Sequence, residues 1–114
     1  MPSLPTPGKP VRGSRSGKPI MALLDLLGRR WALRVIWELR EPTLSFRELQ
    51  AACGGISSSV LNQRLGELRN AGIVESGPDG GFRLTDEGRG LLEAYRPLDD
   101  WARRWARRSG RRLP

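Results

Sequence analysis

Residues 45–72 read Ser45-Phe46-Arg47-Glu48-Leu49-Gln50-Ala51-Ala52-Cys53-Gly54-Gly55-Ile56-Ser57-Ser58-Ser59-Val60-Leu61-Asn62-Gln63-Arg64-Leu65-Gly66-Glu67-Leu68-Arg69-Asn70-Ala71-Gly72. Ser45 and Glu48 have the spacing of a capping box, in which the hydroxyl accepts from the backbone N–H three residues on and the carboxylate reaches back. A helix therefore starts at Phe46, burying Phe46, Leu49, Ala52 and Cys53 until Gly54-Gly55 permit a left-handed stop. Ser57 is a good N-cap for a second helix over 58–71, with Leu61, Leu65 and Leu68 on one face and Gly72 closing it. Two helices joined by so short a glycine turn form a helix-turn-helix.

Upstream, Ile20, Leu23, Leu24 and Leu27 predict a short helix over 20–27, broken at Gly28. Ala32, Val35, Ile36 and Leu39 carry an amphipathic helix over 31–40, ended by Pro42, with Thr43-Leu44 as a short strand. Downstream the period changes. Residues 73–76 and 82–85 read as strands around the turn formers Gly77-Pro78-Asp79-Gly80-Gly81, which makes a β-hairpin wing. Thr85 caps a last helix whose positions 91, 95, 98, 102 and 105 alternate steps of four and three, the seam of a helix packed along another. Pro97 predicts a kink there, or two helices end to end. The fold class is mainly α with a small β-hairpin: a winged helix-turn-helix, for which the resemblance drawn below implies terminal helices forming a dimer interface.

The 114 residues suit one domain with short tails. With no His and a single cysteine, Cys53, neither a Cys/His metal cluster, a Ser-His-Asp triad, a Cys-His pair nor a disulfide framework is available. Asp86-Glu87 sit at a helix start, where acids suit the dipole, and Asp99-Asp100 precede the tail, so neither pair argues for an enzyme. No catalytic residue, metal or cofactor is called for. The apolar runs are too short for a membrane span, and a cytoplasmic place at the nucleoid is the simplest expectation.

The net charge of +8 is uneven. Residues 1–18 carry four basic residues and no acid, and 101–114 carry six and no acid. The remainder holds 10 Arg against all 12 acids. Basic ends attract polyanions in general. With five prolines, three glycines and three serines up to Pro19, residues 1–18 read as a disordered basic arm that follows phosphates or enters a minor groove. Residues 19–108 form the folded domain and 109–114 a basic tail.

Several stretches resemble the HxlR-type winged helix-turn-helix regulators of bacteria. They are Leu26-Leu27-Gly28-Arg29-Arg30-Trp31, Phe46-Arg47-Glu48-Leu49, Gly55-Ile56-Ser57, Val60-Leu61-Asn62-Gln63-Arg64-Leu65 with Leu68, Gly72-Ile73-Val74 and Leu84-Thr85-Asp86-Glu87-Gly88-Arg89. The resemblance implies a homodimer on operator DNA, regulating a nearby gene. Many such relatives carry a cysteine near the start of the first helix, some of which sense oxidants or electrophiles; residues 20–25 have none, so the resemblance does not imply that sensing here. The wing is shorter than is usual there, with Arg83 as its basic residue.

The face of 58–71 opposite the leucines presents Ser59, Asn62, Gln63, Gly66 and Asn70. Ser58, Ser59, Asn62 and Gln63 are the candidates for base edges, the amides suiting adenine. Gly66 fits either close approach of the helix to DNA or simple tolerance. Candidate phosphate contacts are Arg29, Arg30, Arg47, Arg64, Arg69 and Arg83, some of which compete for Glu38, Glu48 or Glu67. Leu91, Tyr95, Leu98, Trp101 and Trp105 are expected to pack on Leu23, Leu24 and Leu27 of a second copy. Two rival readings stand beside this one. A winged helix also serves as a protein-interaction module, and the repeated Trp-Ala-Arg-Arg of 101–108 also suits an anionic membrane surface. A small-molecule effector among Trp31, Trp37, Trp101 and Trp105 is unidentified.

Overall fold

The computed structural model describes residues 17–41 and 43–110. The expected arm, save Gly17 and Lys18, lies outside them, as do Pro42 and the end of the basic tail. Five helices and one hairpin follow in order: α1 Pro19–Leu27, α2 Ala32–Glu38, α3 Phe46–Cys53, α4 Ser58–Asn70, β1 Val74–Ser76, β2 Phe82–Leu84 and α5 Asp86–Arg108.

Side-chain caps set three of the helix starts. Ser45 accepts from the Glu48 N–H at 3.1 Å while the Glu48 carboxylate accepts from the Ser45 N–H at 2.8 Å, completing the capping box of α3. Ser57 accepts from the Val60 N–H at 3.2 Å, and Thr85 from that of Gly88 at 3.0 Å. Each such cap contributes about 1 kcal/mol. Gly54 ends α3 at φ 65 and Gly55 follows at φ 124, both in the left-handed region that a side chain resists.

Most element ends shift by one or two residues from the sequence reading, and two differences have a structural reason. Helix α2 starts at Ala32, not Trp31: Trp31 is its N-cap, at φ 78, the non-glycine residue with positive φ among those described. That backbone state costs on the order of 1–3 kcal/mol, held here because the indole packs against the core and the Trp31 carbonyl accepts from Val35 at 2.9 Å. Helix α5 runs through Pro97 as one element of 23 residues, not two end to end. Proline removes one N–H, and helical pairing resumes beyond it, where Ala106 is again buried.

The core is one cluster. Leu26, Val35, Ile36, Leu39, Leu49, Cys53, Ile56, Leu61, Leu65, Leu68, Val74, Leu84 and Leu92 all belong to it. The strands pair antiparallel with Glu75 opposite Arg83, and Leu44 adds a single bridge to Phe82, the remnant of the strand expected at 43–44. Thr85 ties hairpin to helix, donating its hydroxyl to the Gly72 carbonyl at 2.6 Å.

Gly88 lies in the first turn of α5 where its Cα passes close to the Ile73 carbonyl; a Cβ there would collide with that oxygen. Gly90, two residues on and across the same helix, has open space where a Cβ would go. Gly88→Ala is expected to destabilise the fold by about 1–3 kcal/mol through overpacking. Gly90→Ala should stabilise it by up to about 1 kcal/mol. Denaturant titration of both variants checks the opposite signs.

Candidate nucleic-acid interface

Helix α4 places the two classes of residue on opposite sides. Leu61, Leu65 and Leu68 are buried, while Ser59, Asn62, Gln63, Gly66 and Asn70 are exposed. A Cβ at Gly66 would meet nothing within 4 Å, so no contact inside the protein requires glycine there. The crossing helix holds the turn before α4 through Gln50, whose amide donates to the Ile56 carbonyl at 3.3 Å and to the Ser58 hydroxyl at 3.1 Å. Ser58, expected at a base edge, is therefore engaged by Gln50. The sequence reading missed Gln50; a long amide one turn before Gly54 was the available signal.

The six candidate arginines divide sharply. Arg30, Arg47 and Arg69 are exposed, and no described carboxylate pairs with them. The Arg30 guanidinium lies over the Trp31 ring at 5.8 Å. Arg29 and Arg64 are not free cations. Arg29 bonds the Glu67 carboxylate at 2.7 Å and Arg64 bonds its other oxygen at 2.8 Å, with Glu67 itself only 6% exposed. Both guanidiniums are engaged inside the fold, and one committed to a buried carboxylate leaves an unpaired charge behind if it turns outward. Arg83 pairs across the hairpin with Glu75 at 2.7 Å; both are well exposed, so the pair is weak and screened. Arg34 binds Glu38 at 2.7 Å and the Ala52 carbonyl at 2.9 Å, closing the C-terminal end of α3.

The eight residues expected at a dimer contact also divide. Leu27, Leu91 and Tyr95 pack against the chain's own core. Leu24 (52% exposed), Leu98 (61%), Trp101 (49%) and Trp105 (43%) are open, joined by Ile20 (54%), which the seam pattern did not include. Leu23 is half-buried. Trp101 and Trp105 stack with ring centroids 6.0 Å apart. Trp37 is flanked by the guanidiniums of Arg40 at 4.2 Å and Arg96 at 6.0 Å, and Trp31 lines an open recess of about 380 Å³ with Leu27, Arg29, Arg30, Leu33 and Arg34. Among the described residues no group of acids and cysteine is placed to hold a metal ion, and no helix is long and apolar enough to cross a membrane.

This arrangement, a polar outward face on the second helix of a helix-turn-helix beside a two-stranded wing, has counterparts. The model of the HxlR-like helix-turn-helix matches residues 26–110. The chain belongs to the HxlR-like helix-turn-helix family. It is a DNA-binding transcriptional regulator of that family. It is 32% identical over 88 residues to the HTH-type transcriptional regulator YvaP of Bacillus subtilis, a match covering 72% of this chain and 82% of YvaP. Among solved structures it resembles quinone-bound YodB from B. subtilis, with a TM-score of 0.70 and 29% identity over 75% of this chain and 94% of YodB. It also resembles a MarR-family regulator from Enterococcus faecalis V583, with a TM-score of 0.75 and 26% identity over 90% of this chain and 98% of that one.

Cys53 is buried in α3, and burial pushes its thiol above the ordinary value, opposed by Arg34 and reinforced by Glu38. A raised folded pKa means that stability from this group is full below the unfolded thiol's value, about 8.5, and is lost as pH rises through the folded value. Iodoacetamide at pH 8 is expected to alkylate native protein at least about 100-fold more slowly than protein in guanidinium, since only the exposed thiolate reacts. Comparable rates in the two states would show an accessible Cys53.

Proposed function

We propose that the protein acts as a homodimer on operator DNA, with the outward face of α4 entering a major groove of each half-site. Ser59, Asn62 and Gln63 meet base edges, and Arg30, Arg47 and Arg69 hold phosphates at the rim. The observation that carries this reading is the exposure of every uncharged polar residue on that face while all three leucines of the helix are buried. Asn and Gln side chains offer a donor and an acceptor side by side, which matches adenine N6 and N7. Gly66, unconstrained by the protein, admits close approach of the helix backbone. The second copy covers Ile20, Leu24, Leu98, Trp101 and Trp105, a set of large apolar side chains too exposed to be part of the chain's own core. The single cysteine, Cys53, lies buried in α3, so sensing by a cysteine in the first helix is not part of this reading.

The base-reading proposal is tested by selecting bound sequences from a random duplex library and measuring affinity for the winner. Asn62→Ala and Gln63→Ala are each expected to lose about 1–3 kcal/mol of discrimination, roughly 5–150-fold, at one base position per half-site. Three free arginines per protomer give about six phosphate contacts in a dimer, so affinity should fall roughly 10³-fold between 50 and 200 mM salt. A flat salt response would remove the proposal. Dimerisation is read separately by sedimentation: the wild type should sediment as two copies, and Trp101→Ala with Trp105→Ala as one. A monomeric wild type at micromolar concentration would contradict the dimer.

A further inference from the structure

We infer that Glu67 is a positioning residue for the DNA-facing helix, acting through Arg29 and Arg64; the inference rests on the proposal that α4 reads DNA. Glu67 is the buried charged side chain among the described residues. A buried carboxylate is tolerated only when both oxygens are satisfied. Here one oxygen accepts from Arg29 at 2.7 Å and the other from Arg64 at 2.8 Å. Arg64 uses its Nε on the carbonyl of Arg30 at 2.7 Å, and Arg29 reaches Asp25 of α1 at 3.4 Å. A single turn of α4 thus clasps two consecutive residues of the elbow between α1 and α2.

The clasp and the leucines do different work. At about 100° per residue, Arg64 and Glu67 lie roughly a right angle round the helix from the centre of the leucine stripe. Apolar contact is non-directional, so three leucines alone leave α4 free to roll or slide a little on the core. Short charge-assisted hydrogen bonds to two fixed points do not. The leucines keep α4 on the body, and the clasp sets its roll, hence the direction in which Asn62 and Gln63 point. The Nε of Arg29 is buried with no hydrogen-bond partner among the described protein atoms.

Stability and positioning are separable, because replacing a whole buried ion cluster with apolar residues is often neutral for folding. The experiment compares wild type, Glu67→Gln and the triple variant R29M/R64M/E67M. Fluorescence anisotropy gives Kd for the selected operator and for random duplex, and thermal unfolding checks that each variant folds. The operator-to-random ratio is expected to fall at least about tenfold in both variants, since a reading side chain must be held to within about 0.5 Å. Random-duplex affinity of Glu67→Gln should hold or rise, because one negative charge is gone. A folded triple variant with its ratio within about twofold of wild type would overturn positioning, as would failure of both variants to fold, which makes the cluster a stability element. A wild type that itself shows no discrimination sinks the reading by α4, and this inference with it, and is told apart because it needs no variant.

Discussion

Helix α4 has thirteen residues and must satisfy two demands at once: enough apolar surface to stay on the body, and a long uncharged polar face left in water. Leu61, Leu65 and Leu68 meet the first with a narrow stripe, each contributing roughly 1.5–3 kcal/mol of burial. Everything around α4 compensates for that narrowness. Ser57 fixes its start, Gln50 braces the turn before it, Gly72 releases the chain into β1, and the Glu67 cluster holds one flank. A wider stripe would have held the helix more firmly and left fewer positions for reading bases.

Local chemistry made most of the fold legible. The capping box at Ser45 and Glu48 and the caps at Ser57 and Thr85 act within three residues, and the turn at Gly54-Gly55 depends on nothing outside itself, so sequence spacing alone located them. Trp31 was harder. Its spacing fits the α2 periodicity, yet its backbone is left-handed because the indole is drawn toward the core, a tertiary effect no local rule contains. At Pro97 the local rule allowed a kink or a break, and the flanking turns of α5 stay helical across it, which removes the break.

The site was legible in its polar part and less so in its charged part. Asn62 and Gln63 follow from helical geometry once the leucines are assigned. Arginine roles do not, because a guanidinium's partner can lie far along the chain. Arg29 and Glu67 are 38 residues apart and bond at 2.7 Å; the sequence offers Glu67 as one of several acids for six arginines, and only packing pairs it with Arg29 and Arg64. The apolar seam of α5 had a related ambiguity: periodicity marks a face, but only packing tells that Leu91 and Tyr95 serve the chain's own core while Leu98, Trp101 and Trp105 stay open.

The charge balance of residues 19–100 is weakly acidic, which at first sight disfavours a polyanion as partner. That sum does not say where the charges lie. Glu67 is buried between two arginines, Glu48 is held by the Ser45 N–H, Glu38 is bound by Arg34, and Glu75 by Arg83. An acid engaged in this way projects less negative potential than a free one, because its field is cancelled at short range by the partner it holds. Arg30, Arg47 and Arg69 have no such described partner and stand in solvent. Net charge counts all these groups equally, whereas a duplex docked on α4 meets chiefly those within about a Debye length of it, so the regional sum by itself does not exclude binding.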